Sequence, residues 1–478
     1  MNHITKLLLL FLITLSFSSC ISTDNVGTVV EGKVTSEKEG LHNVVVTDGY
    51  QCVVTDKDGN FSLTPNHEAK FIYISTPAGY LPAEEMQVPR FYMPIEKGVN
   101  QQYDFSLRKN PVDDNRQLLF VTADPQFHKE ENFVRYGEVV DDMLKLKEEY
   151  TDRDILGIDC GDLVGDKPEL YPLYIEHLNR TGIPFYRMPG NHDLQFGGRS
   201  TETSTSIYEK NFGPDHYSFN RGEVHYVVLN NVFYVGRDYF YMGYIDEKTF
   251  GWLEQDLSHV PEGSTVIVSM HIPGRLDEDV KPFQYNSSTI SAQTINISSL
   301  FDILKSYKVH LFTGHMHYNR NIIHSDKLYE HNTGAVSGAW WQGDYCLDGT
   351  PIGYGVYEID GSDVSWFFKS VGKDRDHQMR VYAPNTTSRY GKDVVVNIWN
   401  WDKNWKVKWQ ENDIDMGEMT QFVGLDPEVE KAYSDKEKLE FSWIAPEQTS
   451  HLFRATPNNP DSKITIIAQD PFGNVYIQ

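Results

Sequence analysis

The chain has 478 residues, long for one ordinary hydrophobic core, so two or three folding units are expected. A formal net charge of -25 excludes a general binder of nucleic acid or anionic surfaces, which needs clustered Lys and Arg. Hydrophobic residues at 40%, aromatics at 13% and the absence of long low-complexity tracts indicate a globular protein.

The N-terminus reads as an address. Met1 to Lys6 carries positive charge, and LLLLFLITLSF after it is too short for a typical spanning helix. Ser18 and Ser19 precede Cys20, and polar ISTDN follows. This resembles a bacterial lipoprotein signal (residues 1–20), with Phe17 where Leu is more usual. The resemblance implies cleavage before a lipidated Cys20 and an extracytoplasmic protein, on the outer-membrane or periplasmic side of the envelope. An ordinary secretory signal with a passive Cys is the alternative, and it gives an extracytoplasmic address too. Cys52, Cys160 and Cys346 remain, an odd number in separate regions, which argues against a disulfide framework. Cys160, inside an apolar run, reads as a small core residue.

Residues 26–108 alternate short β-branched runs with Gly and Asp turns, the pattern of a small β-sandwich. The stretch from Gly32 through DGYQCVVTDKDGNFSL resembles the transthyretin-like module. Asp56, Asp58 and Asn60 have the start of a calcium-loop pattern without its distal Glu, so a hairpin turn is expected there.

From about residue 115 to 372, short apolar runs end in polar groups that bind metals. QLLFVTAD leads to Asp124 and Gln126, DILGIDCGD to Asp162, and PFYRMPGNHD to Asn191, His192 and Asp193. STVIVSMH leads to His271, and VHLFTGH to His315 and His317. Continuous apolar runs of this length are buried strands of an α/β sheet, whose ligands gather at carboxyl ends of strands. Five strand tips would thus bring hard oxygen and imidazole donors to one crevice, a site for two divalent metals. Helices are expected between them: Phe133, Tyr136, Val140 and Leu144 recur at helical spacing, and Asp246 caps a helix carrying Phe250, Leu253 and Leu257. HYSFNRGEVHYVVLNN reads as a hairpin turning at Asn220-Arg221-Gly222. His225 and His310 read as satisfied core residues. Asp166 fits a turn or cap as well as a site.

From about 374 to 478, short strands, alternating Trp and turn signals indicate a second β-sandwich. Trp399, Trp401, Trp405 and Trp409 suggest an aromatic face buried against the preceding unit rather than a glycan platform. Trp340 and Trp341, in a Gly-rich segment after the last His pair, fit either a core or a substrate-stacking loop. Arg275 and Arg320 adjoin the metal-binding blocks and are candidates for a phosphate oxygen.

The ordered blocks D-x-Q, G-D, G-N-H-D, a lone His after a strand and G-H-x-H resemble the calcineurin-like metallophosphoesterases. The likeness spans about residues 117–370, and the three-part layout is similar to a bacterial subgroup with β domains on both sides. It implies an α/β fold, a four-layer α/β/β/α core flanked by two small β-sandwiches. It also implies one metal on Asp124, Gln126, Asp162 and His317, and a second on Asp162, Asn191, His271 and His315. His192 would assist the leaving group, oriented by Asp193, while metal-bound hydroxide attacks a phosphomonoester or phosphodiester of a small molecule or surface polymer. Gln126 stands where the family usually has His. An amide oxygen is harder than imidazole, so Mn or Fe is favoured over Zn, with Mg also possible. Protein serine/threonine phosphatase activity on the same core, or a degenerate glycan-binding surface lipoprotein, are the alternatives.

Overall fold

The computed structural model describes residues 29–478, apart from 97–100, 196, 237–239 and 278–283. The expected signal and Cys20 lie outside the described residues.

Two sheets packed face to face carry the centre of the molecule. The first has the strand order Phe185–Arg187, Asp154–Asp159, Arg116–Thr122, Gly353–Asp360, Asp363–Ser370. Its first three strands are parallel and the last two run antiparallel. The second runs Tyr217–Arg221, Val224–Val228, Thr265–Ser269, Lys308–Thr313, Leu328–Asn332, Arg320–Ser325. Its inner strands are parallel, with an antiparallel strand at each edge. Leu119, Val121, Ile158, Tyr226, Ile267 and Phe312 fill the space between the sheets. Side chains of the opposite parity point outward. Leu118 and Phe120 meet the helices Asn132–Lys147 and Tyr171–Asn179. Val227, Val266 and Val268 meet Glu247–Leu257 and Ile297–Leu304. The layers are therefore α/β/β/α. Burial on both faces explains why Arg116–Thr122 reads as an unbroken apolar run rather than an alternation.

The helices form where the apolar spacing predicts them. Phe133, Tyr136, Val140 and Met143 are buried along one face of Asn132–Lys147, and Lys145 and Lys147 favour the negative end of its dipole. Asp246 accepts from the Thr249 backbone N–H at 2.9 Å at the start of Glu247–Leu257. Its loss would cost about 1 kcal/mol. The hairpin turns at Gly222, whose φ is +51°.

Before this core, a five-stranded and a four-stranded sheet form a sandwich from Val30 to Lys109. The turn at Asp56–Asn60 departs from the expected hairpin. Cys52–Val54 pairs with Val45–Thr47, whereas Asn60–Leu63 pairs with Val30–Ser36 in the other sheet. The Asp56 carboxylate closes the turn itself, accepting the Asp58 and Asn60 N–H groups at 2.9 and 2.8 Å, so the connection can cross between sheets.

After the core, two four-stranded sheets span Arg380 to Ile477. Trp405 and Trp409 fill the interior of this sandwich with Val394, Val407 and Ile466. They do not form the expected face against the central unit: Trp409 is on the inward parity of Lys406–Glu411, and Trp405, just before that strand, packs into the same interior. Trp399 lies at the junction, where its carbonyl accepts from Asn319 Nδ2 at 2.6 Å.

Candidate metal centre

The carboxyl ends of the central strands open on one crevice. Asp124 follows Arg116–Thr122, Asp162 follows Asp154–Asp159, Asn191 follows Phe185–Arg187, His271 follows Thr265–Ser269, and His315 and His317 follow Lys308–Thr313. Leaving a strand and turning at once into a shared pocket requires unusual backbone. Asp124, Gln126, Asp162, His315 and His317 all have positive φ, between 39° and 73°. Such conformations cost about 1–3 kcal/mol each and persist where surrounding structure enforces them, as at functional sites. Gly190 allows the closest approach: a Cβ there would lie 2.1 Å from Asp162 Oδ1.

Asp162 sits at the centre. Its Oδ2 accepts from Gln126 Nε2 at 2.7 Å and lies 3.4 Å from His271 Nε2. Its Oδ1 accepts the His192 backbone N–H at 2.8 Å. His271 Nε2 is 3.1 Å from Asn191 Oδ1 and 3.2 Å from His315 Nδ1. Asp124 Oδ2 accepts the His315 backbone N–H at 2.8 Å, and its Oδ1 is 3.8 Å from His317 Nε2.

Each imidazole is oriented by its far nitrogen. His271 Nδ1 faces Cys160 O at 2.7 Å and His317 Nδ1 faces Gly338 O at 2.6 Å. Donation to a carbonyl leaves Nε2 of both rings as the coordinating atom. His315 is turned the other way: Nε2 faces Ser291 O at 3.0 Å, and Nδ1 faces the pocket.

The donor set fits two divalent cations. Asp162, His271 and His315 offer atoms all within 4.8 Å of one another, enough to hold one ion. On the other side, Asp124 Oδ1, Gln126 Oε1 and His317 Nε2 are buried without a hydrogen-bond partner. Buried polar atoms without partners are costly, and a cation accounts for all three. Electrostatics divide the imidazoles: burial lowers the His271 pKa, but Asp162 and Asp124 raise it to about 9, so a cation there would displace a proton. Burial, then neighbouring His271, hold His315 down at about 3, and burial holds His317 at about 4, so both are neutral ligands. Burial raises the Asp162 carboxyl, but His271 and His192 outweigh it and hold it well below the usual range.

His192 sits at the rim with its side chain 27% exposed. Burial lowers its pKa, but Asp162 and Asp166 raise it to about 9. Its expected orienting partner is corrected. Asp193 points inward, where its carboxylate accepts Gly190 and Leu163 N–H groups at 2.8 and 3.1 Å and Tyr171 OH at 2.9 Å. This knots the loop below the site. Asp166 instead faces His192 Nδ1 at 2.7 Å. The two residues are 26 positions apart in sequence, so the pair forms only when the Asp162 and Asn191 loops meet.

The arginines are engaged elsewhere: Arg320 lies over the Tyr318 ring and bonds Leu276 O, and Arg275 lies over Phe301. The paired tryptophans split. Trp341 is buried, stacked on Phe127 and donating to Pro125 O at 2.9 Å. Trp340 is half-buried and stacks on His317 with centroids 3.9 Å apart. Asn231, which no motif announces, accepts the His271 backbone N–H at 3.1 Å and donates to Ile272 O at 2.6 Å, fixing the His271 turn. His225 is a core residue that bridges Asp256 and Asn220, whereas His310 is half-buried and stacks on His331.

The family model described as calcineurin-like phosphoesterase matches residues 119–319, and models of the family's N-terminal and C-terminal parts match 28–110 and 330–476. A 3',5'-cyclic-nucleotide phosphodiesterase from Nostoc sp. is 31% identical over 180 residues, which is 37% of this chain and 60% of that relative. Among solved structures, a dimetal phosphatase from Danio rerio is 14% identical, covering 54% of this chain and 97% of its own, with a TM-score of 0.38. The purple acid phosphatase PPD1 from yellow lupin (Lupinus luteus) seeds is 11% identical, covering 72% and 67%, with a TM-score of 0.40. With the central model and both flanking models matched in order along it, this chain belongs to the calcineurin-like phosphoesterase family.

Proposed function

We propose that the protein hydrolyses a phosphomonoester or phosphodiester of a small molecule or surface polymer at a dinuclear divalent centre, with His192 assisting departure of the leaving oxygen. Phosphoesterases of this family use such a centre. The observation that carries the reading is the unpartnered trio Asp124 Oδ1, Gln126 Oε1 and His317 Nε2 beside the cluster of Asp162, His271 and His315. Asp124, Gln126, Asp162 and His317 would hold one cation, and Asp162, Asn191, His271 and His315 the other.

When bound, two divalent cations supply Lewis acidity at the phosphoryl oxygens and acidify water near them. The chain does the rest. Asp124 and Asp162 offset the positive charge of the pair. The Cys160, Gly338 and Ser291 carbonyls fix the ring orientations. The bond from His192 N–H to Asp162 Oδ1 ties the position of the imidazole to the shared carboxylate. With Nδ1 held by Asp166, the proton given to the leaving oxygen is the one on Nε2.

The Gln126 amide favours Mn or Fe over Zn at the first position. The matched relative is named for a cyclic phosphodiester, so diesters are the first substrates to test. The sequence of residues 1–20 supports an extracytoplasmic protein held to a membrane by lipidated Cys20.

The test is a panel of nitrophenyl mono- and diesters after reconstitution with Mn²⁺, Fe²⁺ and Zn²⁺, with metal content measured on the same samples. Two metals per chain, and turnover abolished in Asp162→Asn, are expected. A fully loaded protein inert on every ester would overturn the reading.

A further inference from the structure

Next to the first cation position stands a wall of rings that the sequence blocks do not announce. Trp340 lies on the face of His317, with planes 15° apart. Trp443, from the C-terminal part of the chain, meets Trp340 edge to face at 4.3 Å. Phe441 stacks beside Trp443 at 5.4 Å and meets His128, two residues beyond Gln126, at 5.1 Å. The outermost ring is therefore two ring contacts from a metal-site imidazole, and it is 58% exposed.

The segment that presents these rings is pinned to the central unit. Glu440 pairs with Lys129, and its backbone N–H donates to Gln342 Oε1 at 2.8 Å. Glu447 N–H donates to Leu347 O at 2.8 Å, and Leu347 N–H donates to the His317 carbonyl at 2.8 Å. Tyr433 and Ile444 are buried against Ala339 and Leu347. Trp340 and Trp341 both hold left-handed backbone, with φ of 52° and 66°; Trp340 lies flat on His317 while Trp341 anchors in the core. Trp443 thus sits on a pinned segment, in contact with two rings, yet leaves 58% of its surface in water, an unusual exposure for so large an apolar ring. A flat ligand ring would complete it.

We infer that Trp443, with Phe441 and Trp340, is a specificity wall that stacks a planar aromatic or heteroaromatic ring of the phosphoester, such as a nucleobase, while the phosphate sits at the metals. The inference rests on the proposed hydrolysis at this centre and names the substrate class that the centre prefers. Stacking on an aromatic side chain is worth enough to shift affinity by about 5- to 150-fold.

The matched probes are adenosine 5′-monophosphate and ribose 5-phosphate, which share the phosphate and sugar and differ by the base. Their inhibition constants are measured against nitrophenyl ester turnover by the Mn²⁺-loaded full chain. Quenching of tryptophan fluorescence by each ligand is the second readout. The wild type is expected to bind the nucleotide at least about fivefold more tightly, with quenching. Trp443→Ala should erase that advantage and weaken the quenching while leaving the ribose 5-phosphate constant unchanged, and Trp443→Phe should restore part of it. Equal binding of both ligands by an active wild-type enzyme, or an advantage that survives Trp443→Ala, overturns the wall alone. Absence of turnover and of binding by either ligand overturns the wall and the proposed hydrolysis together.

Discussion

Gln126 Nε2 donates to Asp162 Oδ2 at 2.7 Å, so the residue that departs from the usual family pattern touches the carboxylate both cations would share. The amide does two things there: it steadies the bridging oxygen and leaves its own Oε1 for a cation. Replacing it by imidazole removes the hard oxygen and supplies a softer donor. Gln126→His is therefore expected to raise Zn²⁺ occupancy relative to Mn²⁺ when the two compete at equal concentration, read by elemental analysis. An unchanged ratio would show that Gln126 does not set metal choice.

The pairing of His192 with Asp166 gives a second expectation. If Asp166 sets which nitrogen carries the transferable proton, Asp166→Asn should depress turnover of an alkyl ester by about 100-fold. A nitrophenyl ester, whose leaving group needs little protonation, should be slowed far less. Equal losses on both would point to a role in folding or metal binding. Asp193→Asn should behave differently. Its carboxylate ties the Leu163 and Gly190 N–H groups below the site, so its main effect should be a lowered Tm.

Gly190 has no room for a side chain. A Cβ would meet Asp162 Oδ1 at 2.1 Å and Asp162 N at 2.3 Å, and backbone cannot step aside cheaply. Gly190→Ala is expected to retain secondary structure by circular dichroism while metal content falls below two per chain. Full occupancy in that variant would contradict the close approach.

Stability should depend on pH through histidines away from the metals. Half-buried His310 places its Nδ1 3.1 Å from Nε2 of buried His331 on the neighbouring strand. Burial pushes His310 down to about 4 and His331 well below its ordinary value, with His310 adding to the latter. Unfolded imidazoles take up protons near pH 6.5 whereas these folded ones stay neutral, so the unfolded chain binds more protons below that point. Their contribution is whole above about pH 6.5 and is lost as pH falls toward about 4. Calorimetric Tm should decline across that window, and less steeply in His310→Gln. Parallel declines would assign the acid sensitivity to other groups.

Read along the chain, the site was legible in its donors and obscure in its supports. Asp124, Asp162, Asn191, His271, His315 and His317 each follow an apolar run, and the physics of a sheet buried on both faces makes that run visible without coordinates. The same local rules located the Asn132–Lys147 helix, the Asp246 cap and the Gly222 hairpin, because spacing and capping act within a few residues. They failed where a local motif had two solutions. The Asp56 turn could close a hairpin or cross between sheets, and Trp405 and Trp409 could face outward or inward.

The sequence by itself determined which atoms are available to cations and on which strands they ride, since residue type and hydrophobic period are properties of the chain. Tertiary structure alone decided the partners: Asp166 rather than Asp193 against His192, Asn231 behind His271, and Trp443 beside Trp340. Those pairings join segments up to a hundred residues apart, and no short-range preference encodes a distance that exists only after two sheets and a sandwich have packed.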